Sequence, residues 1–117
     1  VAAELAQVFE AEIVVFHAAE WEPGALGPRA KEPAMAAPDF AEAIADELTT
    51  QGIHAAPETQ TARKGQVAAQ IVDTIRRREA DLIVMGSPVL SPLRSAFLGS
   101  VTNVILQHAK CPVFVIR

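Results

Sequence analysis

The stretch GSPVLSPLRSAFLGS, residues 86–100, decides how this chain is interpreted. It follows the apolar run DLIVM, residues 81–85, and leads into SVTNVILQHA, residues 100–109, whose apolar side chains recur at helical spacing. A buried strand is therefore predicted to pass through this stretch into a helix. In an open α/β sheet, ligands bind beyond the carboxyl ends of the strands, which is where this stretch begins.

The glycines and the serine at the ends of this stretch allow two interpretations. Gly86 and Gly99 let the backbone approach a ligand closely, and Ser100 offers a hydroxyl at a helix N-terminus, where free amides attract anions. In the alternative, Gly86 only turns the chain and Ser100 only caps the helix. The spacing by itself leaves both interpretations open.

Helices and strands are predicted to alternate outward from this stretch. Strands are predicted at residues 13–16, 53–61, 82–85 and 112–116. Helices are predicted at residues 1–11, 39–52, 65–78 and 100–109. Inward-facing helical side chains are predicted to include Phe40, Ile44, Leu48, Val67, Ile71, Ile75, Val101, Val104, Ile105 and His108. The alternation favours a doubly wound, open parallel α/β sheet with helices on both faces.

Two positions refine this prediction, and one segment interrupts it. Pro57 cannot donate a ladder hydrogen bond, which makes the strand around it an edge strand, and Gly52 is placed to end a helix in the left-handed conformation. Residues 20–38 contain four prolines and two glycines and are predicted to be a long irregular connection, either a flap over a site or a disordered loop. The 117 residues suit a single domain over 1–117.

Composition excludes several classes of protein. A formal charge of -4 does not suit nucleic-acid binding, and a single cysteine excludes an internal disulfide or a multi-cysteine metal site. No apolar run reaches the ~20 residues that span a bilayer, and the start lacks the pattern of a signal peptide. We therefore expect a cytoplasmic protein with no membrane or nucleic-acid partner.

The residues 81–87, DLIVMGS, and 98–116, LGSVTNVILQHAKCPVFVI, resemble the C-terminal signature of the universal stress protein family. Nucleotide-binding members of that family carry the motif G-x2-G-x9-G-[ST]. Gly86, Gly99 and Ser100 match its first, third and final positions, while Val89 replaces the second glycine. A β-branched residue there resists positive φ and adds bulk next to the phosphates.

The resemblance implies two candidate functions. One is a stress-response regulatory module that works through dimerisation or partner docking, which Val89 favours. The alternative is a nucleotide-binding module whose cofactor is ATP, with Mg²⁺. Its nucleotide contacts would come from Met85, Gly86, Gly99, Ser100 and Val101.

The resemblance also implies a strand order and a partner. The family sheet has the order 3-2-1-4-5, and this sequence opens in what resembles the helix after the central first strand, so we expect such a strand to precede Val1 in the intact protein. The last strand is then an edge that invites pairing with its symmetry mate. A homodimer is therefore expected through Val113, Phe114, Val115 and Ile116.

No residue pattern predicts catalysis. The loop serines lack a G-x-S-x-G elbow, the three histidines lack metal-ligand spacing, and Cys111 is interpreted as a small apolar residue. His17 is placed at the end of its strand, where it either makes local hydrogen bonds or approaches a ligand, and the family resemblance implies a backbone contact at Ala18. We expect no enzyme activity beyond slow, incidental ATP hydrolysis.

Overall fold

A computed structural model describes residues 1–24, 27–30, 36–86 and 99–116, which form four helices and five strands. The helices are α1 (Ala2–Phe9), α2 (Ala36–Thr50), α3 (Val67–Arg78) and α4 (Ser100–His108). The strands are β1 (Ile13–Gly24), β2 (Gly27–Ala30), β3 (Ala55–Arg63), β4 (Ile83–Gly86) and β5 (Val113–Ile116). These elements belong to two compact units, residues 1–64 and 65–117. Within the described ranges, no helix combines the length and apolarity needed to cross a bilayer.

The first unit contains a three-stranded sheet in the order β2-β1-β3. β1 pairs in parallel with β3 from Ile13 to Trp21. The Ile13 N–H donates to the His54 carbonyl at 2.8 Å, and a parallel ladder that starts this way directs the N–H of every even-numbered β3 residue toward β1. Pro57 therefore occupies a position where a donor would point away from β1, and among the described residues β3 pairs only with β1, as expected for an edge strand.

Helix α2 packs on β1 and β3 through small side chains. Ala41 and Ala45 are buried, and Ile44 and Leu48 are half-buried. The prediction that Phe40 is part of the inward face is wrong in burial, since its side chain is 57% exposed, although its ring contacts His17 of β1. Alanines let the helix backbone approach the sheet closely, and this turns the larger ring toward the rim of the contact.

The predicted C-terminal cap at Gly52 is confirmed in detail. Gly52 has φ 84°, its N–H donates to the Thr49 carbonyl at 3.0 Å, and the N–H of Ile53 donates to the Leu48 carbonyl at 3.1 Å. This pair of bonds is the Schellman motif, which satisfies carbonyls left open at a helix end. Ile53 is buried directly after the turn, so the cap also anchors the chain as it enters β3.

The predicted irregular connection over residues 20–38 is wrong in three places. β1 continues to Gly24, β2 pairs antiparallel with it, and α2 begins at Ala36. In this hairpin Pro23 lies opposite Pro28. Opposite residues in antiparallel strands alternate between hydrogen-bonded and non-hydrogen-bonded pairs, and two facing prolines fit a non-hydrogen-bonded pair without removing any ladder bond. Prolines counted as breakers are therefore compatible with strands here.

The second unit contains β4 and β5, paired in parallel, with α3 in contact with α4. Its core centres on Ile105, which is 0% exposed, as predicted. The other predicted core residues, Val67, Ile71, Ile75, Val101 and Val104, are half-buried because a two-stranded sheet covers little area. His108 was predicted to face inward and is exposed instead, its ring nitrogen Nδ1 lying 2.9 Å from the Val104 carbonyl oxygen.

The parallel α/β fold predicted from the alternation of elements is confirmed by the β1–β3 and β4–β5 pairings. In the expected family order, β1 and β3 correspond to strands 2 and 3, and β4 and β5 to strands 4 and 5. Both pairings are therefore between neighbours in that order. The order across the two units and the single domain over residues 1–117 stay predictions.

Candidate functional site

The candidate site lies within the second unit, at the carboxyl edge of β4. Because β4 and β5 are parallel and α4 lies between them in the chain, α4 begins at the edge where β4 ends. Met85 and Gly86 from β4 and Gly99, Ser100 and Val101 from the start of α4 therefore belong to the same edge. All five predicted contact residues are described in this one unit.

Gly86 presents bare backbone at the end of β4. It is exposed, its φ lies outside the left-handed region, and a Cβ added there would meet no described atom within 4 Å. The interpretation that Gly86 is needed to turn the chain has no support from this local geometry. Because Gly86 has no side chain, its backbone is accessible at this end of β4.

Gly99 has a conformation that only glycine adopts readily. Its φ of 85° and ψ of 159° lie in a region where a side chain would cost roughly 1–3 kcal/mol. Gly99 is the N-cap of α4, and its carbonyl accepts the N–H of Asn103 at 3.1 Å. The glycine is thus required to direct the chain from the preceding segment into the helix.

Ser100 is the first residue of α4 rather than its cap, so the interpretation of Ser100 as a capping residue is wrong. Its side chain is exposed beside the first-turn amides of Ser100, Val101 and Thr102, which have no intrahelical acceptor. The first turn carries no acidic residue, so the positive end of the helix macrodipole is not offset there. A hydroxyl, amides without intrahelical acceptors and a positive dipole end together suit an anion.

Part of the predicted motif lies outside the described residues. Val89 belongs to residues 87–98, as do the loop serines. In the described ranges, no group of three His, Cys, Asp or Glu side chains is placed to hold a metal ion. The first turn of α4 carries no carboxylate.

His17 belongs to the first unit and lies in mid-strand rather than at a strand end, because β1 continues to Gly24. Its ring packs against Phe40 with centroids 5.2 Å apart and an interplanar angle of 54°. Ala18 is paired with Gln60 in the β1–β3 ladder. These contacts account for His17 through packing within its own unit.

A contact that sequence reasoning missed joins Trp21 to Arg63. The Arg63 guanidinium carbon lies 6.0 Å from the centre of the Trp21 ring, at the last pair of the β1–β3 register. Such a cation–π contact typically contributes about 0.5–1 kcal/mol at an exposed site. The two residues are far apart in the chain, and only the strand register could have indicated that they meet.

Cys111 lies near the amino edge of the β4–β5 pair, away from the candidate site. Partial burial, followed by the negative charge of Asp81, raises the pKa of the Cys111 thiol. The thiolate is the reactive form, so this environment disfavours a nucleophilic cysteine at neutral pH. The location and the pKa both favour the interpretation of Cys111 as a small apolar residue.

We expect Cys111 to react slowly with iodoacetamide at pH 7. Its alkylation rate should rise at a higher pH than the alkylation rate of free cysteine does. Asp81→Asn removes a charge that disfavours the thiolate, so the pH–rate profile should move to lower pH. Mass spectrometry of alkylation between pH 6 and 10 measures this, with free cysteine as the reference. A profile at or below that of free cysteine would contradict it.

Comparison with known proteins places this chain in a family. The universal stress protein family model matches residues 1–117. A Thermus aquaticus protein, "Universal stress protein in QAH/OAS sulfhydrylase 3'region", is 34% identical over 114 residues, which cover 96% of this chain and 82% of that protein.

Two solved structures share the fold. The universal stress protein from Archaeoglobus fulgidus in complex with dAMP has a TM-score of 0.70 and 23% identity, with 99% of this chain and 82% of that chain covered. A universal stress protein in complex with cAMP has a TM-score of 0.65 and 20% identity, with 99% and 81% covered. From the family match over the whole chain and the Thermus aquaticus relative, the chain belongs to the universal stress protein family.

Proposed function

We propose that this stress-response protein binds an adenine nucleotide, with the nucleotide phosphate at the N-terminus of α4, and that it acts as a nucleotide-responsive regulatory module in the cytoplasm. The observation that carries the proposal is the Gly99–Ser100 junction. Gly99 adopts a conformation that disfavours any other residue, and Ser100 follows it as an exposed first helical residue rather than as a cap.

Each group at this junction has a distinct role in the proposal. The Ser100 hydroxyl donates a hydrogen bond to a phosphate oxygen, and the amides of Val101 and Thr102 donate from the first turn. The α4 macrodipole, equivalent to roughly +0.5 charge at this end, favours the negative phosphate. Gly86, with no side chain, lets the rest of the nucleotide lie against the end of β4.

The sequence and the related structures both support a particular class of nucleotide in this proposal. The related Archaeoglobus fulgidus structure holds dAMP, and the other related structure holds cAMP. Each of these nucleotides has one phosphate. This chain has Val89 where the family motif has the glycine that lets the loop approach further phosphates. We therefore infer that a nucleotide with a single phosphate is preferred over ATP.

Calorimetric titration of the chain with dAMP, deoxyadenosine and ATP tests the proposal. We expect dAMP to bind at least tenfold more tightly than deoxyadenosine, because charge-assisted hydrogen bonds contribute roughly 1.5–3 kcal/mol. ATP should bind more weakly than dAMP, and Val89→Gly should narrow that difference. Equal affinity for dAMP and deoxyadenosine would contradict a phosphate site. ATP binding tighter than dAMP in the unmodified chain would contradict the single-phosphate preference.

A second candidate function, docking through the last strand, rests on the exposure of β5. Phe114 is 47% exposed and Ile116 is 39% exposed, and among the described residues β5 pairs only with β4. An open apolar edge strand favours pairing with another strand. We propose that two copies associate through Val113–Ile116.

Val115→Pro should convert such a dimer to monomer. The Ile83 N–H donates to the Pro112 carbonyl at 3.0 Å, and in a parallel ladder this directs the Phe114 and Ile116 donors toward β4 and the Val115 donor away from it. Proline at 115 therefore removes an outward donor and leaves the β4–β5 ladder donors in place. Light scattering at micromolar concentration measures the change.

The matched control for this substitution is Val115→Ala, which shortens the side chain and keeps the N–H. We expect it to remain dimeric, with a far-UV spectrum like that of Val115→Pro. A Val115→Pro variant that stays dimeric, or an unmodified chain that is monomeric, would contradict docking through this edge.

A further inference from the structure

We draw no further inference here: the strongest candidate, the exposed apolar surface of α1 formed by Val1, Val8 and Phe9, carries none because nothing among the described residues shows what covers it.

Discussion

Ser100→Ala is expected to weaken dAMP binding by about 10–100-fold. The substitution removes one charge-assisted hydrogen bond, whose net contribution is roughly 1.5–3 kcal/mol, and tenfold in affinity corresponds to about 1.4 kcal/mol. The fold should be unaffected, because Ser100 is exposed and does not cap α4. Alanine also has the higher helix propensity, so the helix itself should not weaken. Calorimetric titration with dAMP, with a thermal unfolding scan beside it, measures both effects.

Two matched variants separate a phosphate contact from a general effect on α4. Ser100→Thr keeps the hydroxyl at the first helical position and should retain most of the affinity. Gln107→Ala changes an exposed residue at the far end of the same helix and should bind dAMP like the unmodified chain. If Ser100→Ala also binds dAMP like the unmodified chain, the hydroxyl does not contact the phosphate.

Ile105→Ala is expected to lower the free energy of unfolding by about 2–5 kcal/mol, the range found when a large buried aliphatic side chain is shortened to alanine. Ile105 is 0% exposed and is the largest fully buried side chain among the described residues. The expected decrease in the free energy of unfolding has two parts. One is the lost transfer free energy of the removed methyl and methylene groups, and the other is the cost of the cavity that they leave. Urea denaturation, monitored by far-UV circular dichroism, measures this decrease. The signal includes the loss of helices α3 and α4 when the second unit unfolds.

The neighbouring Leu106 supplies the control. Leu106 is 42% exposed on the same helix. Leu106→Ala therefore removes a similar side-chain volume but much less buried apolar surface than Ile105→Ala. We expect its cost to stay below about 1 kcal/mol, as for substitutions outside the core. Equal destabilisation by the two variants would mean that Ile105 is not the centre of the core.

The sequence predicted much of the fold where the signal was local. Apolar runs located the strand at Ile83–Gly86 and the strand at Val113–Ile116. Gly52 marked the end of α2 because glycine adopts the left-handed conformation without the steric penalty of a Cβ. Pro57 identified an edge strand through its missing donor.

Features set by contacts between distant residues could not be predicted in the same way. In the β1–β2 hairpin Pro23 lies opposite Pro28, and composition alone indicates only two strand breakers at these positions. Phe40 and His108 fit an apolar helical face by spacing, yet both are exposed because their neighbours determine which side packs. Tertiary context overrides periodicity at such rim positions.

At the candidate site, the motif identified the residues, and the structure gives their positions at the end of β4 and the start of α4. Gly99 and Ser100 were predicted from spacing and resemblance to contact an anion, with helix capping by Ser100 as the alternative. The backbone conformation of Gly99 makes it the N-cap and leaves the Ser100 hydroxyl exposed. A cap and a first helical residue differ by one position, which sequence patterns do not resolve.

The claim that a phosphate binds on the first turn of α4 is tested most directly by amide chemical shifts of the ¹⁵N-labelled chain during a dAMP titration. We expect saturable shifts of the amide protons of Ser100, Val101 and Thr102 that exceed those elsewhere, and that deoxyadenosine does not reproduce. Saturation with dAMP that leaves these three amides unmoved would contradict the claim.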